Sequence, residues 1–123
     1  MTENLSFQFL QEFFPSELMR YFNILSFETL KKADTNEEYI VIEFEEKNEL
    51  PNGYLNSDYE SKGFIGSKNI QDFPLRGKPV FLKIKTRRWR HKATGDVIKR
   101  DFTFIAVGSK FTQELSDFLK DTN

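Results

Sequence analysis

Lys78-Pro79-Val80-Phe81-Leu82-Lys83-Ile84-Lys85-Thr86-Arg87-Arg88-Trp89-Arg90 is the stretch on which the fold turns. Successive residues of a strand point to opposite sides. Val80, Leu82 and Ile84 therefore share one face, and Phe81, Lys83, Lys85, Arg87 and Trp89 share the other. The apolar face must lie on a core, which turns the cationic face toward solvent or a partner. Between Arg76 and Arg100, ten Lys or Arg stand against one acid, Asp96, while the rest of the chain holds eight basic and eighteen acidic residues. The formal net charge of −1 thus conceals a strongly polar molecule. A concentrated basic face with aromatics among the charges is the electrostatic footprint expected of a nucleic-acid binder.

Downstream of this strand, His91 to Asp96 supplies turn residues. Val97 to Val107 reads as the returning strand of a hairpin, with Ile98, Phe102 and Phe104 on one face and Gly108 ending it. Upstream, Pro74-Leu75-Arg76-Gly77 makes a tight turn, and Lys62 to Phe73 reads as a less regular extended segment. Asn48 to Ser61 is the one long irregular region, rich in turn formers such as Pro51 and Gly53. Before it, Glu38 to Glu45 alternates with Ile40, Ile42 and Phe44 on one face. Leu25, Phe27 and Thr29 alternate on the other side of the turn Ala33-Asp34-Thr35-Asn36, which makes a second hairpin. Leu5 to Phe14 has helical spacing, with Phe9 and Phe13, and Leu10 and Phe14, four apart. Pro15 breaks that helix and suits the first turn of another over Ser16 to Phe22. Phe111, Leu115, Phe118 and Leu119 form a final helical stripe, with Thr112 or Ser109 as its cap.

The expected fold is α+β in a single domain over residues 1–123. An antiparallel sheet of two β-hairpins carries short helices at the N-terminus and one C-terminal helix. Residues 1–22 are the helical segment, 25–46 the first hairpin, 62–107 the basic hairpin region and 111–121 the last helix. A chain of 123 residues can build one core without staples. Its fourteen Phe are accounted for by a core built from Phe rather than Leu.

Catalytic chemistry has little to work with. No Cys is present, which excludes disulfides, thiolate catalysis and cysteine zinc sites. His91 is the only histidine and falls in a polar turn. Gly63-Phe64-Ile65-Gly66 has neither the spacing nor the following helix of a phosphate loop. The alternating carboxylates of Glu43-Phe44-Glu45-Glu46 read as a solvated strand face rather than a metal site. The chain is therefore expected not to be an enzyme, with no metal and no cofactor. No apolar run is long enough to span a membrane, and a cytoplasmic protein without a membrane partner is expected.

The basic strand is the feature with a mechanism. Lys83, Lys85 and Arg87 project on one face about 7 Å apart, close to the spacing of successive phosphates. Arg88 and Arg90 project the other way, and Lys92, Lys99 and Arg100 continue the charge on the turn and return strand. Trp89 is placed either to stack on a base or to pack at the surface among Arg stems.

Ile70-Gln71-Asp72-Phe73-Pro74-Leu75-Arg76-Gly77-Lys78, followed by Val80 to Lys85 and Arg87-Arg88-Trp89, resembles the N-terminal region of bacterial insertion-sequence transposases, notably the small separate N-region proteins of Bacteroidetes elements. The likeness covers about Phe14 to Leu119 and includes Thr94-Gly95 and Arg100-Asp101. Relatives of that family carry a zinc ribbon ahead of a DDE catalytic domain. Here the two cysteine pairs, due near Glu49 to Leu55 and His91 to Asp96, are missing, so the resemblance implies a metal-free ribbon-like C-terminal hairpin. It further implies a DNA-recognition or accessory part without the DDE carboxylates. Arg76, Lys78, Lys83, Lys85, Arg87, Arg88 and Trp89 would then be DNA contacts, with Arg90, Lys92, Lys99 and Arg100 added by the charge argument. Duplex DNA, a separate DDE-type catalytic subunit and a second copy of the chain are the partners it suggests, at the bacterial nucleoid. Two other readings stay open. One is a protein-interaction module that docks on the catalytic subunit through Leu10 and Phe14. The other is a single-strand binder that stacks bases on Trp89 and Phe81.

Overall fold

The basic strand sits in the middle of the sheet, with partners on both sides. The computed structural model describes residues 2–106 and 110–121, with the side chains of all of these but residues 2–4, 6 and 7. In chain order the elements are α1 (Thr2–Gln11), α2 (Ser16–Tyr21), β1 (Phe22–Lys31), β2 (Glu38–Glu46), β3 (Tyr59–Leu75), β4 (Lys78–His91), β5 (Val97–Lys99) and α3 (Gln113–Asp121). Five strands form one open sheet of order β1-β2-β4-β3, with β5 paired to the distal end of β4. The fold is mixed α/β, a five-stranded sheet with a few short helices. Val107, Gly108 and Ser109, and with them the expected end of the return strand and one of its two expected caps, lie outside the described residues.

The first of the two expected hairpins is present, the second large one is built from other strands, and the sheet is not purely antiparallel. β1 and β2 pair antiparallel through the turn after Lys31. The second large hairpin is β3 with β4, not β4 with the segment after it. Its two connecting residues, Arg76 and Gly77, both have positive φ, at 54° and 77°. That is the geometry of a two-residue turn whose twist matches the strands it joins. β4 then lies parallel to β2, from Ile40 against Val80 to Glu45 against Lys85. No local signal announces this contact, because its strands are separated in sequence by the whole of β3.

The return strand is also shorter than expected. Only Val97 to Lys99 pair with β4, against Arg90 to Arg88. From Arg100 the chain leaves the sheet, and Phe102 and Phe104 turn into the core beside Phe22 instead of continuing a ladder. β3 extends further back than expected, to Tyr59. It was obscured because Gly63 and Gly66, both at positive φ, sit where its register against β4 slips. Bulges of this kind scramble the period-two pattern that makes a strand visible.

The core lies on one face of the sheet. Ile40, Ile42, Phe44, Ile70, Val80, Leu82 and Ile84 meet Leu18, Phe22 and Phe104. Phe14 belongs to this side, with its ring edge-on to Phe44 at 5.5 Å. The expected docking pair Leu10 and Phe14 is therefore corrected: Phe14 packs inward, and Phe9 and Phe13 are the exposed members of the helical stripe. α3 is capped by Thr112, whose hydroxyl accepts from the Leu115 N–H at 3.3 Å. Thr112 also donates to the buried Asp72 carboxylate at 3.0 Å. Gln71 and residues 110–112 exchange backbone hydrogen bonds, so this connection covers part of the outer edge of β3.

Candidate nucleic-acid interface

On the solvent side of the sheet the parallel pairing sets Glu43 beside Lys83 and Glu45 beside Lys85. The acidic alternation of β2 and the basic alternation of β4 therefore meet. Lys85 pairs with Glu43 at 3.1 Å and Arg87 with Glu45 at 3.8 Å. Lys78 pairs with Glu38 at 3.7 Å, and Arg90 with Glu60. This row was expected to be an open cationic face. Of its three cations, Lys83, Lys85 and Arg87, only Lys83 lacks a carboxylate within salt-bridge distance among the described residues, while Lys78 and Arg90, on the other face, are paired as well.

Where β2 ends, Glu46 takes over as partner for β4. Its carboxylate is 1% exposed. It accepts the Arg87 backbone N–H at 2.7 Å and the Arg100 Nε–H at 3.4 Å. The Arg87 Nε–H donates back to the Glu46 carbonyl at 2.7 Å. Arg100 also donates to the Glu49 carbonyl at 2.7 Å and lies over the Tyr21 ring at 4.1 Å. Arg87 lies over Phe64 at 4.4 Å. Burial pushes the Glu46 pKa up, against the pull of Arg87 and Arg100. Asp72, buried under α3, is pushed up by the same cause. The hydrogen bonds from Arg20 and Arg90 hold Glu49 and Glu60 below the ordinary carboxylate range. Arg87 and Arg100, expected to reach outward to DNA, are fastened into the molecule.

Trp89 is likewise corrected. It is 1% exposed, and its indole N–H donates to Asn48 Oδ1 at 2.8 Å, so it is not available to stack on a base. Phe81, the other expected stacking platform, sits half-buried against Tyr39 at 6.0 Å. Arg88 does point to the opposite side from Trp89, with a buried Nε that has no hydrogen-bond partner. Arg76 occupies the β3–β4 turn and Lys92 the far end of β4, so they cannot join one compact patch. His91 is occupied locally: its Nδ1 accepts the N–H groups of Ala93 and Thr94, both at 3.1 Å.

Three further lysines without an ion pair among the described residues line a cleft on the other side of the sheet. On the core side of the sheet, past Ile84, the wall formed by Lys99 to Phe102, Ile105, Ala106 and Lys110 stands opposite β3 and β4. It leaves an open cleft of about 810 Å³. Ile65, Lys68, Ile70 and Thr86 line it from the sheet, and Lys99, Phe102, Ile105, Ala106 and Lys110 from the opposite wall. Lys68, Lys99 and Lys110 make no ion pair among the described residues, and Asp101 is the one acid in the lining. Of the residues expected from sequence, Lys99 and Arg100 reach this cleft. Lys68 and Lys110 were missed because they lie outside the dense basic run, and only the folded sheet brings them to Lys99.

Among the described residues, no three His, Cys, Asp or Glu side chains gather where they could hold a metal ion. None of their helices is long and apolar enough to cross a membrane. No family model, curated protein or solved structure matches this chain.

Proposed function

We propose that this chain is the non-catalytic N-terminal part of an insertion-sequence transposase, binding DNA phosphates on behalf of a separate catalytic chain. The resemblance in Asp72-Phe73-Pro74 through Trp89 supplies the family. The observation that carries DNA binding is that Lys68, Lys99 and Lys110 line one cleft and that none of them has an ion pair among the described residues. Three such ammonium groups on a concave surface attract a polyanion, most strongly at low ionic strength where counterions screen them least. In the same reading the short β4–β5 hairpin is the metal-free remnant of the ribbon, held by Glu46 and Trp89 where relatives use zinc.

The test is binding of the full chain to labelled duplex DNA over a salt series. Log affinity should fall with log salt at a slope of about −3, the expectation for three phosphates. Substituting Lys68, Lys99 and Lys110 together by Ala should flatten that slope to near zero. Absence of duplex binding at low salt would remove the reading.

A second reading rests on its own observation. β1 is an edge strand of ten residues whose outer side pairs with nothing among the described residues, and it exposes Phe27 by 60%. Phe9 of α1 and Phe13 just beyond its end, both exposed, meet with tilted rings 4.9 Å apart. Long apolar edges of this kind are normally covered. This is where the chain would dock on its catalytic partner. Phe9→Ser with Phe27→Ser should abolish co-purification of the two chains and leave duplex affinity intact.

A further inference from the structure

The cleft has two chemistries, and duplex DNA uses only one of them. Lys68, Lys99 and Lys110 suit phosphate oxygens, but Ile65, Ile105 and Ala106 line the same cleft with apolar surface. Ile65 is 49% exposed there, between Ser61-Lys62 and Ser67-Lys68-Asn69 on the same strand. In a duplex the base faces are buried in the stack, so a paired strand offers this surface nothing apolar. An unpaired nucleotide offers both a phosphate and a free base face within one unit, joined through its sugar. The cleft volume, about 810 Å³, falls in the range that takes one or two such small units, whereas a duplex would meet only its lysines from outside.

We infer that the cleft is a site for an unpaired nucleotide of DNA, its phosphate held by Lys68, Lys99 and Lys110 and its base laid on Ile65 and Ile105. This deepens the DNA-binding reading and rests on it. Because the contact is made with the face of the base and not its edge, the preference is for unpairedness rather than for a sequence. It differs from stacking on Trp89, which the fold has closed off.

The experiment compares a blunt duplex with the same duplex carrying a five-nucleotide single-stranded overhang. The overhang should bind about tenfold tighter, on the scale of one added base contact. Ile65→Asp, at a half-exposed position, should bring the ratio of the two affinities to about one. Equal affinity of wild type for blunt and overhanging DNA overturns this inference and leaves the DNA-binding reading standing, whereas loss of binding to both overturns that reading itself. A photoreactive base in the overhang gives a measurement that needs no variant. Crosslinks within residues 65–70 or 99–106 support the site, and crosslinks confined to the solvent face of β4, residues 81–87, overturn it.

Discussion

The two sides of the sheet at β4 carry similar residues and behave differently. Toward solvent, Lys85 and Arg87 stand beside Glu43 and Glu45 of β2 and are neutralised. On the other side, beyond Ile84, Lys68, Lys99 and Lys110 line a cleft and have no ion pair among the described residues. The contrast shows that a count of charges along a strand says little about the field around it. What decides is the neighbour, and here the neighbour is a parallel strand more than thirty residues earlier in the chain. Acidic and basic runs that look in sequence like separate poles of the molecule are the two halves of one seam.

The sharpest way to break this contrast is at Trp89. If the solvent side of β4 were a stacking surface, Trp89→Ala would weaken DNA binding and spare the fold. With the indole buried and hydrogen-bonded to Asn48, the expected outcome is a stability loss of about 4 kcal/mol in urea unfolding. Glu46→Ala comes next. It strips the partner from the Arg87 N–H and from Arg100 in a buried setting, and should cost about 3 kcal/mol by the same measurement.

A smaller effect separates Asp72 from the surface acids. Its pKa is raised by burial, so the folded state holds the proton more tightly than the unfolded one. The stabilisation this gives is complete below the ordinary carboxylate pKa of about 4 and is lost as pH rises through the raised value. Wild type should therefore decline relative to Asp72→Asn as pH rises from 4, by at most about 1.4 kcal/mol per pH unit, as read from unfolding midpoints across pH. The smallest effect is expected at Lys85. Its ion pair is partly exposed, so Lys85→Ala should cost about 0.5 kcal/mol and leave DNA affinity unchanged. A tenfold loss of affinity in that variant would return the binding surface to the solvent side.

Much of the chain was readable where periodicity is local. The alternation of Ile40, Ile42 and Phe44 gave β2, that of Val80, Leu82 and Ile84 gave β4, and Pro15 marked the join between α1 and α2. Thr112 was one of two caps considered for α3, and it makes the capping bond. β3 was half hidden because Gly63 and Gly66 reset its register, and because its first residues follow a tract rich in Asn, Asp and Ser. The segment after Lys99 was misread because Phe102 and Phe104, spaced like strand residues, serve a core built by other elements. The site was the least readable part. Lys99 carried a signal, but Lys68 carries none until Ile84 of β4 is set against it in the sheet.

Because β4 fills the slot between β2 and β3, the sheet cannot be assembled in the order in which it is synthesised. The first hairpin emerges with the inner edge of β2 bare, and it stays bare until residue 85 has left the ribosome. The tight reversal at Arg76-Gly77 makes the β3–β4 pairing local in sequence, whereas the β2–β4 pairing closes a loop of more than thirty residues. A pause in translation between residues 46 and 85 would thus leave an apolar strand waiting for its mate, and is the interval in which a chaperone or the wrong strand would find it.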